Sequence, residues 1–366
     1  MFLNTIKDLK KKLKPNKYKK VFILTGKKSF FSSGINKLIE KSLTTQKSFF
    51  YFKTSKIPEI DELKKIIIKI NKFKPDLILA IGGGTVLDLA KIANSFDNVK
   101  NLHSRIIGSK YKIKKKRPLF AIPTTAGSGA EITANAVIYI NKIKYSVEDN
   151  SLIPNFYLLV PKVIINLDRK IKASSGFDAI AQSIESLFSK KSNSKSLYFA
   201  KKSLRISLSN YINFVKKPSI SNTYKMCIAA NLSGRAISIS KTTAPHALSY
   251  PFTSYLGIDH GHAVSLTFID FLKFNYKNLD FADTKFNLKD RYNLLFKLTK
   301  SKNIDELENY VLNLLKNVGL ETDLNKLKIN IEKFIPKILK GVNFQRLANN
   351  PVKLSILDIK SILKNK

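Results

Sequence analysis

Leu77–Ile81 (LILAI) is an unbroken apolar run that leads directly into Gly82-Gly83-Gly84-Thr85 and then into a helical pattern, VLDLAKIANS. A run of this length bounded by glycine fits a buried strand of a parallel sheet. Three glycines at the C-terminal end of a strand let the backbone turn tightly and approach a ligand closely. The helix that follows offers unpaired N–H groups and the positive end of its dipole, which suits a pyrophosphate. Thr85 with Asp88 three residues later resembles a capping box. The spacing differs from G-x-G-x-x-G, so a Gly-rich turn without a ligand stays open for this loop taken alone.

A second apolar run, Leu119–Ile122, leads into Pro123-Thr124-Thr125-Ala126-Gly127-Ser128-Gly129-Ala130-Glu131, with three hydroxyls and two glycines. Two such loops at strand ends would line one crevice, where open α/β sheets bind ligands. Further strands are expected at Lys20–Thr25, Ser48–Phe52 and Tyr157–Ile165. In Glu59–Lys72, Ile60, Leu63, Ile66, Ile67 and Ile70 recur at helical spacing. Strands alternating with helices predict a parallel sheet. Beyond about Ser175 the strand signal fades. Helices are expected at Ala179–Phe188, Leu197–Tyr211, Lys225–Ile239, Arg291–Leu298, Ile304–Leu315 and Leu324–Leu339. The chain therefore divides into an α/β nucleotide-binding domain over residues 1–170 and a helical metal- and substrate-binding domain over 171–366. No internal repeat appears, and Lys110–Arg117 (KYKIKKKR) reads as a solvated basic loop.

The 65 Lys and Arg against 26 Asp and Glu give a net charge of +39. The excess is nearly all lysine and is spread along the chain, whereas nucleic-acid modules cluster charge and interleave arginine with aromatics. A compositional origin is favoured over a specific nucleic-acid partner; a polyanion binder is the alternative from another class, and the field would draw in anionic substrates. There is no run of about 18 apolar residues for a membrane span and no signal-peptide pattern at the N-terminus. The single cysteine, Cys227, forms no internal disulfide. A cytoplasmic location with no membrane partner is expected.

Three of the four histidines, His246, His260 and His262, lie within seventeen residues; His103 sits apart in a polar stretch. Neutral imidazole ligates zinc and iron well. On the preceding helix, Asp178 and Gln182 lie at i and i+4 and share a face. A carboxylate with two imidazoles suits a divalent metal that polarises a carbonyl, although Asp178 could also serve as a charge near a helix N-terminus.

These segments resemble the iron-containing (group III) alcohol dehydrogenases. GGGTVLDLAK is similar to the family's GGGSxxDxAK loop and PTTAGSGAE to its PTTAGTGSE loop. GFDAIAQSIES resembles D-A-x-x-H-x-x-E. HALSYPFTSYLGIDHG resembles H-x-x-x-H-P-x(8)-H-G, with the fourteen-residue spacing from His246 to His260 intact. RLANNPVKLSILDIKSIL resembles the family's C-terminal end, so the likeness covers the whole chain. It speaks against the related dehydroquinate synthases and glycerol-phosphate dehydrogenases, which lack the PTTAGSGAE loop.

The resemblance implies a dehydroquinate synthase-like architecture: an α/β dinucleotide-binding domain with a parallel sheet, an all-α C-terminal domain and a metal at the cleft. It implies NADPH or NADH, Fe2+ or Zn2+, and a homodimer acting on a small aldehyde or alcohol. Metal ligands fall on Asp178, Gln182, His246 and His260, with Gln182 standing where the family usually has histidine. Cofactor contacts fall on Gly82, Gly83, Gly84, Thr85, Asp88, Thr124, Thr125, Ser128 and Lys144. Tyr250 replaces another frequent histidine, and His262 is an extra imidazole; either is a candidate proton relay through water. Gly26 stands where the family often has an acid, which removes repulsion of a 2′-phosphate. With Lys27, Lys28 and Ser29 beside it, a preference for NADPH is expected. Gln182, SGRAISISKTTAPHALSY and DHGHAVSLTF together resemble the phosphonoacetaldehyde reductases, which make 2-hydroxyethylphosphonate. Arg235, Lys241, Thr242 and Thr243 would then meet the anionic head group; the alternatives are surface-facing side chains and another small aldehyde substrate.

Overall fold

The computed structural model describes residues 2–3, 6–13, 17–96, 98–108 and 113–364. It comprises two compact units, residues 1–125 with 129–167, and residues 126–128 with 168–366.

The first unit carries a parallel sheet of six strands in the order β1-β8-β5-β4-β2-β3. These are β1 (Phe2–Leu3), β2 (Lys20–Gly26), β3 (Lys47–Lys53), β4 (Leu77–Gly82), β5 (Leu119–Pro123) and β8 (Phe156–Leu158). Every residue of β4 and β5 is buried, as central parallel strands covered on both faces must be. The helices α1 (Ile60–Phe73) and α2 (Gly84–Ala93) follow β3 and β4. The expected strand Tyr157–Ile165 is cut short, because Pro161 opens a helical turn, Pro161–Ile164. Proline has no N–H for a ladder and is pre-set for the first helical position.

An antiparallel hairpin, β6 (Asn135–Ile140) with β7 (Ile143–Glu148), is an addition that the sequence reading lacks. Its turn residues Asn141 and Lys142 have φ of 49° and 65°, as a type I′ turn requires. The buried Lys91 ammonium on α2 fastens the hairpin, donating to Thr133 O (3.1 Å), Thr133 Oγ1 (2.9 Å) and Asn135 O (3.0 Å). Of the basic loop Lys110–Arg117, residues 110–112 lie outside the described residues; 113–117 form no regular element.

The second unit is helical: α3 (Arg169–Phe188), α4 (Ser194–Lys216), α5 (Ile220–Ser240), α6 (Ala244–Leu256) and α7 (His260–Ser265), then Phe268–Lys277, Leu288–Thr299, Ile304–Val318, Ile331–Gly341 and Ile356–Lys364 among others. α3 starts ten residues before the expected Ala179, because Asp168 caps it by accepting from Lys170 N at 2.7 Å. Capping boxes start α4 (Asn193 with Ser196) and α5 (Ser219 with Asn222). The expected helix Leu324–Leu339 begins only at Ile331, N-capped by Asn330. α6 contains Pro251, whose missing N–H leaves the carbonyl four residues earlier, that of Ala247, without a helical donor; Asn343 N supplies one at 3.5 Å. Among the described residues, no helix is long and apolar enough to cross a membrane.

Candidate metal centre

One face of α3 carries Asp178, Gln182 and Glu185, at i, i+4 and i+7. α6 carries His246 and Tyr250 at i and i+4, and His260 opens α7. Asp178 Oδ1 lies 3.2 Å from His246 Nε2 and 3.9 Å from His260 Nε2. One ligand atom from each of Asp178, His246 and His260 falls within 4.8 Å of the others. Gly261 makes this approach possible: a Cβ there would sit 1.9 Å from Ser174 O and 3.0 Å from Asp178 Cβ. Any side chain at 261 would push α7, and His260 with it, away from α3.

Glu185 completes the arrangement. Its Oε1 is hydrogen-bonded to His246 Nδ1, while Oε2 accepts from Thr243 N at 2.7 Å and Thr243 Oγ1 at 2.9 Å. A carboxylate on Nδ1, the usual second partner of a metal-binding histidine, makes that nitrogen a donor and leaves Nε2 as the atom that faces Asp178. Burial by itself pushes the His246 pKa down, but Glu185 and Asp178 outweigh it and raise it to about 9. Two carboxylates thus converge on one imidazole, and the cluster favours a cation. An N, N, O donor set of this kind fits Fe2+ or Zn2+. Sequence reading passed over Glu185, although its place on the Asp178 face was a usable signal.

Other expected residues are placed differently. Gln182 is buried, with its Oε1 accepting from Ser233 Oγ at 3.0 Å. Tyr250 is buried and stacks on His260, with ring centroids 5.7 Å apart and planes at 18°. Burial chiefly raises its pKa to about 12, and the Thr242 side chain hydrogen-bonds it, so it keeps its proton at neutral pH. His262 is turned elsewhere: its Nε2 meets Glu321 O at 2.6 Å, and its backbone N donates to Ser174 Oγ at 3.1 Å. Two positions along a helix differ by about 200° in direction, so His262 does not share the face of His260, and its ring ties α7 to residue 321. Arg235 donates Nε to Asn231 Oδ1 at 3.0 Å and lies 5.8 Å from the Phe199 ring centroid. Thr243 is engaged by Glu185, and the Thr242 side chain hydrogen-bonds Tyr250.

In the first unit, the two loops lie side by side: Gly82 pairs with Pro123 across β4 and β5, and Thr124 N donates to Gly82 O at 3.0 Å. Gly82 has to be glycine, because a Cβ would fall 2.4 Å from Val86 Cγ2. Gly83 is the N-cap of α2, so the N–H groups of Gly84 and Thr85 point out of its first turn. Asp88 is directed into the fold, accepting from Val137 N at 3.2 Å, and burial raises its pKa despite the charges of Lys91 and Lys144. Lys144 on β7 is thereby close to Asp88. Gly26 ends β2 beside Lys53 of β3, and Lys27 and Lys28 are exposed. Ser128 and Thr125 are half-buried.

Residues 3–161 match the family model of the iron-containing alcohol dehydrogenases, and residues 172–366 match the C-terminal model of the same family. The 4-hydroxybutyrate dehydrogenase of Clostridium kluyveri is 28% identical over 318 residues, 84% of this chain and 83% of that protein. The phosphonoacetaldehyde reductase of Streptomyces viridochromogenes is 29% identical over 228 residues, 59% of this chain and 57% of that protein. The structure of a sulfoacetaldehyde reductase from Bifidobacterium kashiwanohense, in complex with NAD+, superposes with a TM-score of 0.86 at 24% identity, covering 100% of this chain and 96% of that one. With both units matched to family models, and the metal-ligand spacing realised as a cluster in space, the chain belongs to the iron-containing alcohol dehydrogenase family.

Proposed function

We propose that this protein reduces a small aldehyde bearing an anionic group to the primary alcohol, with NADPH as hydride donor and a divalent metal at Asp178, His246 and His260. The observation that carries the reading is that cluster, with Glu185 fixing the tautomer of His246. Bound there, Fe2+ or Zn2+ supplies Lewis-acid polarisation of a carbonyl, and the nicotinamide supplies the hydride. Asp178, His246 and His260 bind and orient, and stacked Tyr250 holds the His260 ring. Gln182 is the proposed fourth ligand. Ser233 has one hydroxyl proton and two acceptors, Gln182 Oε1 at 3.0 Å and Ala230 O at 2.8 Å. Turning the amide over would let Nε2 donate to Ser233 and free Oε1 for the metal.

The N–H groups of Gly84 and Thr85 are proposed to receive the cofactor phosphates at the α2 N-terminus, with Thr124 and Thr125 at the end of the neighbouring strand. Gly26 and its neighbour Lys53 favour the 2′-phosphate of NADPH. The anionic substrate class rests on two relatives whose names specify compounds carrying an acid group, 4-hydroxybutyrate and phosphonoacetaldehyde. It also rests on the positive charge of Arg346, which acts on Tyr250 beside the cluster. Phosphonoacetaldehyde is the favoured substrate. The test is kcat/KM for phosphonoacetaldehyde, 4-oxobutanoate and propanal with each nicotinamide. Phosphonoacetaldehyde should exceed propanal by up to about 10⁴, the range for loss of buried polar partners, and Gly26→Asp should raise KM for NADPH. Equal values for the charged and neutral aldehydes would overturn the substrate class, and NADH used as well as NADPH would overturn the cofactor choice.

A further inference from the structure

Lys241, between α5 and α6, has φ 63° and ψ 176°, a region open in practice only to glycine. A lysine held there needs its surroundings to enforce the conformation. Asn349, buried and more than a hundred residues away in the chain, does so. Its Nδ2 lies 2.9 Å from Ser240 O and 2.9 Å from Thr242 O, the carbonyls on either side of Lys241, and 2.8 Å from Ser189 Oγ. Two amide protons meet two carbonyls, so the orientation is forced: reversed, Oδ1 would face both carbonyl oxygens. That Oδ1 has no hydrogen-bond partner among the described residues, so the amide is not oriented for its own oxygen. Ser189 Oγ also donates to Ser240 O, Ser240 Oγ donates to Ser186 Oγ at 2.8 Å, and Lys190 N donates to Asn349 O at 3.1 Å.

The next residue after this clamped turn is Thr243, whose N–H and hydroxyl both meet Glu185 Oε2. We infer that Asn349 is a positioning residue for the metal centre: by stapling the strained turn at Ser240 and Thr242, it fixes Thr243 on Glu185 and, through Glu185, the orientation of His246. The inference rests on the proposed metal site. It assigns a role in the C-terminal stretch RLANNPV to a side chain that touches neither metal nor substrate.

The test is Zn2+ affinity of the metal-free full-length protein by chelator competition, in wild type, N349A, K241G/N349A and H246A, with thermal melts alongside. N349A should bind Zn2+ about tenfold more weakly, the low end for partners that orient metal ligands. K241G/N349A should recover most of that loss, because glycine takes the Lys241 conformation without enforcement. A merely structural role would lower the melting temperature of N349A without this rescue of affinity. If N349A does not fold, the double variant decides: affinity within about threefold of wild type supports the inference, set against the tenfold or greater loss seen when such partners fail, and a loss of that size overturns it. N349A binding as tightly as wild type, while H246A has lost the metal, overturns the inference alone. Wild-type protein that binds no Zn2+, or binding indifferent to H246A, overturns the functional reading and the inference with it.

Discussion

The two units each bury a cluster of charge, and the clusters are built on opposite principles. In the first, Lys91 offers three N–H donors to three oxygens within 3.1 Å, and Asp88 stands 3.9 Å away. Every proton has an acceptor, and the ammonium serves to hold β6 against α2. In the second, Asp178 Oδ1 faces two imidazole nitrogens while Glu185 presses on the far side of one of them. Carboxylates outnumber cations there, and the excess is met by raising the pKa of His246. A buried charge whose bonds are complete belongs to the architecture; one whose surroundings call for a further cation marks a binding site.

The largest effect that would sharpen this contrast is loss of a ligand. His246→Ala or His260→Ala should abolish metal binding and activity together, exceeding the roughly 10–100-fold losses typical of residues that only orient ligands. Elemental analysis finding full occupancy in both variants would break the comparison. Lys91→Met should act on the other side. Leaving buried Asp88 without its cation should cost about 3–5 kcal/mol of stability, the range for breaking one partner of a buried pair. Denaturant unfolding would read this, and Zn2+ affinity should not follow it. Metal loss in Lys91→Met would show that the two clusters are not separable.

Glu185→Gln should weaken metal binding by about 10–100-fold, and it should also change the pH response. The folded pKa of His246, raised from 6.5 to about 9, stabilises the metal-free protein. That contribution is complete below pH 6.5 and disappears as pH rises through 9. Melting temperatures of metal-free wild type should therefore fall between these limits, less steeply in Glu185→Gln. For the same reason Zn2+ must displace a proton below pH 9, so affinity should climb with pH up to that point. A pH-independent affinity over this window would contradict the raised pKa of His246. The smallest expected effect is Gln182→His, which should tighten metal binding because imidazole is the better ligand for these ions. Unchanged affinity would place Gln182 with Ser233 and away from the metal.

Local pattern revealed much of this. The buried runs of β2, β4 and β5, the half-buried aromatic run of β3 and the amphipathic α1 were legible because local apolar pattern follows burial. α6 was not, because Pro251 looks like a helix breaker. Its cost is offset by Asn343, which serves Ala247 O, and by Gly341, where a Cβ would lie 2.8 Å from Pro251 Cγ. The β6–β7 hairpin was missed because its turn is Asn-Lys and not one of the Gly-containing pairs that signal type I′.

The sequence by itself determined the chemistry available: which residues could ligate a metal, their spacing on helical faces, and the two glycine loops at strand ends. Residue type and helical or strand period are local properties, so they can be read along the chain. Only the tertiary structure decided the partners. It set His262 on Glu321 O and not beside His260, bound Thr243 to Glu185, and brought Asn349 to a lysine 108 residues before it in the chain. These contacts depend on how helices far apart in sequence pack, and on glycines such as Gly261 that set how closely they approach. No local pattern encodes that distance.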